Sequence, residues 1–410
     1  MFSFILRAAA WVVVLLPALA PAAPLTLDQA LEQAVQRSQP LRSARAATAS
    51  AARQAEAAGQ LPDPMLGVSI ENLPATGTDR FRTTAESMTM KRVALSQEWV
   101  PADKRALRTA AATALARRQQ AAAAVAAADA RLQTALAYVD AFYASEALKL
   151  SVSGEEHSHE AVGTARARLA AGNGSAQDVL ALSAAQGLAE DEAAEMRQQA
   201  AASGVNLARW IGGPAGELKT PILPTQPAEQ AYVESHPMVV AARRDLAVSQ
   251  QDAAVAASNR KPNWTWEVAY GQRTGMSDLV SIGVTIPLPV AAAARQDKET
   301  ASKLALVEKA EADLVEAERT AQAEYRTLAG DVQRLAERIA RIRSAVIEPA
   351  RQRTEVATAA YRSNQASLAM VFEARHGELE AQRKVLMLQR DLAKAQAQMA
   401  FKPVRAEELQ

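Results

Sequence analysis

The chain has 410 residues and no cysteine, which excludes disulfides, thiolate metal sites and a lipid-modified cysteine. Its formal net charge of +1 leaves no basic field for nucleic-acid binding. The length would suit two or three ordinary domains, but the 17 glycines, the 4% aromatic content and the abundant alanine favour helix over sheet, and alanine fills narrow helix–helix seams better than a thick core. An elongated helical body is expected.

The first 22 residues carry one charge, Arg7, an apolar run from Ala8 to Leu16, and small residues at Ala20 and Ala22. This pattern predicts a secretory signal peptide cleaved after Ala22; the apolar run is too short for a comfortable membrane span. Losing Arg7 brings the mature charge to near zero. No later apolar run reaches membrane-helix length, so a membrane crossing by the mature chain requires strands.

The remainder divides in two. EQAVQRSQP (32–40) is echoed by EQAYVESHP (229–237), and GNGSAQDVL (172–180) by NQASLAMVF (364–372), in the same order. Residues 23–211 and 228–401 are therefore expected to be two copies of one unit, joined by a Pro/Gly-rich linker at 212–227 and followed by a C-terminal tail at 402–410. Each copy predicts a helix, two strands, a very long helix, a break and a helix back.

The strands fall at about 64–72, 90–99, 263–270 and 279–287. Leu66, Val68 and Ile70 alternate with Gly67, Ser69 and Glu71; Trp264, Trp266, Val268 and Tyr270 with Thr265, Glu267 and Ala269; Val280, Ile282, Val284 and Ile286 with Ser281, Gly283 and Thr285. Val93, Leu95 and Trp99 alternate less cleanly. One face is apolar and aromatic, the other small or polar. A soluble sheet packed on a core would give such alternation, but in an exported chain it suits a barrel with lipid outside and water inside. Trp99, Trp264, Trp266 and Tyr270 would form its aromatic belt against outer-membrane lipid. The smallest barrels need about eight strands, so four strands imply a barrel shared between chains; three chains would supply twelve.

Beyond each strand pair lies coiled-coil spacing. Val307, Leu314, Ala321, Leu328, Leu335 and Ile342 recur every seven residues, with Tyr325, Val332 and Ile339 as a second seam; Val125, Leu132 and Val139, and Leu136, Tyr143 and Leu150, do the same in the first copy. Two seams per helix imply two neighbours. The stretch from Pro101 to Ala171 spans roughly 105 Å if fully helical. Gly154 and Pro349 are expected to kink or interrupt the two long helices. At the breaks, Gly172 and Asn364 tolerate left-handed backbone, and Ser175 and Ser367 can cap the returning helices.

No catalytic constellation is visible. His157, His159, His236 and His376 are scattered and suit surface positions; Met88, Met90 and Met276 suit hydrophobic filler better than soft-metal ligation. No cofactor is expected.

The ordered set of signal peptide, LTLDQALEQAVQRSQP (25–40), duplicated halves, strand pairs and breaks of the form Tyr-x-x-Gly/Asn-x-x-Ser-Leu, complete at 361–368 and with Leu169 and Ala176 at its ends in the first copy, resembles TolC-type outer-membrane efflux proteins. The segments 61–105 and 285–296 are similar to the heavy-metal branch, the CzcC- and CusC-like proteins, although Pro101-Ala102-Asp103-Lys104-Arg105 replaces the branch's Pro-Gly-Lys-Arg. The resemblance implies a homotrimer in the outer membrane: a twelve-stranded β-barrel above a long periplasmic α-barrel of twelve coiled-coil helices, mainly α with a small β part. It implies a passive exit duct, not an enzyme, for a resistance–nodulation–division pump joined through a periplasmic adaptor. Gly172, Ser175, Ala176, Asn364, Ser367 and Leu368 would be adaptor-docking tips. Glu373 matches one of the family's pore-ring acids, while Met370 occupies the other position. Glu373 with Arg362, and Asp178, are candidate pore-gate residues; a solvated helix face is the alternative. A duct for organic drugs or secreted protein and a periplasmic coiled-coil scaffold are the competing functions.

Overall fold

A computed structural model describes residues 24–409; the expected signal peptide at 1–22 lies outside the described residues. The first half runs α1 (Leu27–Arg37), α2 (Gln39–Ala57), β1 (Met65–Glu71), β2 (Met90–Trp99), α3 (Ala102–Ala170) and α4 (Ala176–Ile211). The second runs α5 (Glu229–Glu234), α6 (Pro237–Ser258), β3 (Trp264–Arg273), β4 (Leu279–Thr285), α7 (Gln296–Ile342), a π-turn (Arg343–Ile347), α8 (Glu348–Arg362) and α9 (Leu368–Phe401). The fold is mainly helical with one small antiparallel sheet, in the order β1-β2-β3-β4.

Local chemistry starts each element. Thr26 caps α1 in a reciprocal box, its Oγ1 accepting from the Gln29 N–H at 3.3 Å while the Thr26 N–H donates to Gln29 Oε1 at 3.1 Å. Ser38 caps α2 by accepting from the Leu41 N–H. α3 holds 69 residues, about 104 Å of helix at 1.5 Å per residue.

The long helices pack through the heptad positions. Leu314 and Ala321 of α7 meet Val239; Tyr325, Leu328 and Val332 meet Tyr232 and Met399; Leu335, Ile339 and Ile342 meet Val385 and Leu388. The largest buried cluster joins Leu27 and Leu31 of α1, Tyr138 of α3, Leu207 and Ile211 of α4 and Phe401 of α9. Across it, Leu25 forms a parallel bridge with Leu218. The Tyr138 hydroxyl sits 2.7 Å from the carbonyl oxygens of both Leu25 and Lys219. The segment after α9 is packed rather than loose. Val404 is buried and its N–H donates to the Ser235 carbonyl at 2.8 Å. Buried Arg131 holds Glu408 through two bonds of 2.7 Å.

Of the two expected kinks or interruptions, the one at Gly154 leaves α3 unbroken, and the one at Pro349 takes the form of a π-turn joining α7 to α8. α3 continues unbroken past Gly154, where the missing side chain lets Leu379 of α9 approach: a Cβ there would lie 3.3 Å from its Cδ1. Long flanks with favourable helix formers absorb the roughly 1 kcal/mol cost of one glycine. At Pro349 the chain stays helical. The π-turn lies immediately before it, and the wider i→i+5 repeat accommodates a ring that would clash with the carbonyl four residues back.

Candidate functional site

The sheet sits at one end of the long helices, and its register sorts the side chains. Leu66, Leu95, Val268 and Ile282 form one cross-strand row, and Val68, Val93, Tyr270 and Val280 the next. All eight are exposed, Ile282 at 79% and Val68 at 76%. Contiguous apolar exposure across four strands is what a soluble sheet avoids. The opposite face carries Gly67, Ala94, Ala269 and Ser281 in one row and Ser69, Arg92, Gly271 and Leu279 in another. β1 and β4 end the sheet with unpaired backbone edges, an arrangement that single soluble chains cover or charge. Trp99 and Trp264 pair directly at the helix end of the strands, their rings 5.8 Å apart. Trp266 lies one row up on the same face, and Tyr270 toward the β3–β4 hairpin.

At the far end of α3 the chain turns at Gly172, φ 75°, and α8 turns into α9 at Asn364, φ 57°. Ser175 caps α4 by accepting from the Gln177 N–H, and Ser367 caps α9 by accepting from Met370. The two tips come together around a cavity of about 310 Å³ lined by Arg168, Asn173, Ser175, Asp178, Ser367 and Leu368, among others. Leu368 packs with Phe372 against Val162, Ala165 and Leu182. Gly172, Ala176 and Asn364 are exposed. Asp178 lies in the first turn of α4, where a carboxylate favours the helix dipole.

The suggested Glu373–Arg362 pair does not form. Glu373 meets Arg353 at 3.1 Å, because Arg353 lies two to three turns back along α8 on the side that faces α9. Both partners are well exposed, so the pair contributes little.

A second correction concerns histidine. His236 is fully buried. It is the N-cap of α6, its Nδ1 accepting from the Met238 N–H at 3.3 Å. Nε2 lies 3.4 Å from Glu324 Oε2. Glu324 of α7 also receives the Tyr232 hydroxyl at 3.0 Å and the Lys402 ammonium at 2.5 and 2.7 Å. Burial, and then Lys402, push the imidazole below its ordinary value against the pull of Glu324. Burial works to raise the Glu324 carboxyl, but Lys402 and Tyr232 outweigh it and hold the carboxyl low. The methionines also divide: Met90 packs over Gly271, whereas Met88 and Met276 are exposed.

No group of three or more histidine and carboxylate side chains able to hold a metal occurs among the described residues. No helix among them is long and apolar enough to cross a membrane.

Neither a family model nor a curated protein matches the sequence. Solved structures do match in fold. The outer membrane protein VceC of Vibrio cholerae superposes with a TM-score of 0.74 at 20% identity, covering 92% of this chain and 96% of VceC. The open-state MtrE outer membrane channel of Neisseria gonorrhoeae gives 0.73 at 16% identity, covering 92% and 88%. CusC, a protein that forms a transmembrane channel, gives 0.69 at 14% identity, covering 94% and 95%.

Proposed function

We propose that this chain is a TolC-type outer-membrane channel, the passive exit duct of a tripartite efflux pump of the resistance–nodulation–division type. The observation that carries this is the sheet: two open edges and one face whose middle rows are apolar and exposed on all four strands, at the end of helices up to about 100 Å long. Water cannot satisfy that apolar face, and lipid cannot satisfy the edges. Both demands are met when copies join edge to edge into a ring. Three copies give twelve strands, above the minimum of about eight, with the small and polar face turned to a water-filled lumen. The fold shared with VceC, MtrE and CusC supports the same reading.

The helices would then line a periplasmic conduit, and the tips at Gly172, Ser175, Ala176, Asn364, Ser367 and Leu368 would meet a periplasmic adaptor. Asp178, Glu373 and Arg362 would lie near its pore. The cargo is assigned to heavy-metal cations on the resemblance of segments 61–105 and 285–296. Fractionation tests the duct: the mature protein is expected in the outer membrane, and recovery as a soluble periplasmic monomer would overturn it. A deletion strain tests the cargo, since unchanged metal tolerance with drug hypersensitivity would point to organic cargo.

The tip makes its own prediction. Nothing lies within 4 Å of a Cβ built at Gly172, so substitution there costs backbone strain alone, about 1–2 kcal/mol for an L-residue in left-handed geometry and more for a β-branched one. Gly172→Val is expected to weaken adaptor coupling, seen as reduced pull-down of the adaptor and reduced resistance, with barrel insertion intact. Gly172→Asn, which installs the residue of the Asn364 turn, is expected to behave as wild type. Loss of outer-membrane trimers in the valine variant would make the turn structural instead.

A further inference from the structure

Arg92 is the one basic side chain in the middle rows of the small-residue face, and it is 23% exposed on a sheet whose faces are otherwise open. It stands opposite Gly271 on β3. From there it reaches diagonally past Ala269 to the Glu267 carboxylate, and it lies 3.5 Å from Glu71 on β1. The floor beneath is made of residues too small to obstruct it. Ala94 and Ala269 are buried, Ala269 at 2%, although no helix packs on that face. Met90 packs over Gly271. Three strands are thus tied by one guanidinium lying flat along the wall.

Charge does not balance there. Two carboxylates share one guanidinium, leaving one negative charge in excess per copy. The strands' other charges on this face, Glu98 and Arg273, are opposite in sign and leave that excess unchanged. Glu98 accepts from Asn263, which also takes the buried Lys104 ammonium at 3.2 Å; Arg273 turns into its own hairpin, donating twice to the Ser277 carbonyl.

We infer that the Glu71–Arg92–Glu267 triad sets the charge selectivity of the conduit wall, with Arg92 limiting a preference for cationic cargo that the two carboxylates create. This rests on the barrel proposed above, which turns the triad inward. In such a ring the excess charge repeats once per copy at one level, and side chains facing a lumen tune which ions pass. The floor of glycine and alanine keeps the triad on the wall, so it acts through its field rather than by narrowing the path.

Planar-bilayer recording under a KCl gradient kept below about 0.1 M, where the screening length is still about 10 Å, provides the test. Wild type is expected to prefer potassium over chloride. Arg92→Gln is expected to raise the cation-to-anion permeability ratio by about twofold or more, and the Glu71→Gln/Glu267→Gln double variant to lower it by as much. Wild-type reversal potentials in both variants, with normal conductance, would overturn the triad's role. Should Arg92→Gln fail to assemble, the double variant decides alone: a shift toward anions supports the inference, and no shift overturns it. A wild-type protein that never conducts would sink the conduit itself instead.

Discussion

Ile282→Lys is expected to remove the protein from the outer membrane, while Ser281→Lys, one residue away, leaves its insertion near wild type. Ile282 occupies a row with Val268, Leu95 and Leu66, every member apolar and exposed. A lysine at the bilayer midplane of a β-barrel costs about 2–4 kcal/mol, and the cost falls once on every copy in a closed ring. Three copies would therefore lose roughly 6–12 kcal/mol, which is comparable with the entire stability of a domain. Ser281 points to the other face, in a row with Ala269, Ala94 and Gly67. There a lysine stands in water and disturbs only the charge of the wall. Quantifying each variant in the outer-membrane fraction checks the pair. Equal recovery of the two would show that the alternation does not separate lipid from water, and the barrel proposal would fall with it.

The contrast works because strand periodicity survives without tertiary context. A residue's face is fixed by whether its position is odd or even, so the apolar set on β3 and β4 was visible in the sequence. The turns were visible for a similar reason. Few residues adopt positive φ, and Gly172 and Asn364 are the two types that do so most readily. The long helices and their packing positions followed from heptads, which depend only on local spacing.

What escaped depends on partners distant along the chain. Gly154 looked like an interruption because a glycine in a helix is locally unfavourable; Leu379, on a different helix, is what the missing side chain accommodates. Position near the tip links Glu373 with Arg362, whereas the antiparallel run of α8 against α9 brings Arg353 to it. The phenolic, acidic and cationic neighbours of His236 come from α5, α7 and the end of α9, which no local pattern links. One signal was nevertheless present. His236 immediately precedes Pro237, and a residue before a proline at the first helical position is an N-cap. In the first half the cap falls one position earlier in the matching segment, on Ser38, so the two copies diverge where a titratable group enters the second.

That divergence gives the second large effect. Wild-type stability is expected to fall as pH drops from about 7.5 to 5.5, and His236→Asn is expected to flatten the fall. Neutral His236 caps α6 by accepting at Nδ1. A protonated ring has no acceptor there, so charging it costs the cap and places a cation beside Lys402. The groups facing it are Tyr232 from α5, Glu324 from α7 and Lys402 from the end of α9. The folded imidazole lies below its unfolded value of about 6.5. Near that pH the unfolded state therefore binds more protons than the folded one, and stability rises with pH. The contribution is complete above about pH 6.5 and is lost as pH falls toward the folded value, by up to about 1.4 kcal/mol per pH unit. Glu324, held low, titrates beneath this window and does not mask it. Asparagine keeps a capping oxygen without a proton to gain. Melting temperatures at closely spaced pH values compare the two proteins. Identical slopes between pH 7.5 and 5.5 would mean that His236 binds protons equally in the folded and unfolded chains, so that its burial does not couple protonation to folding.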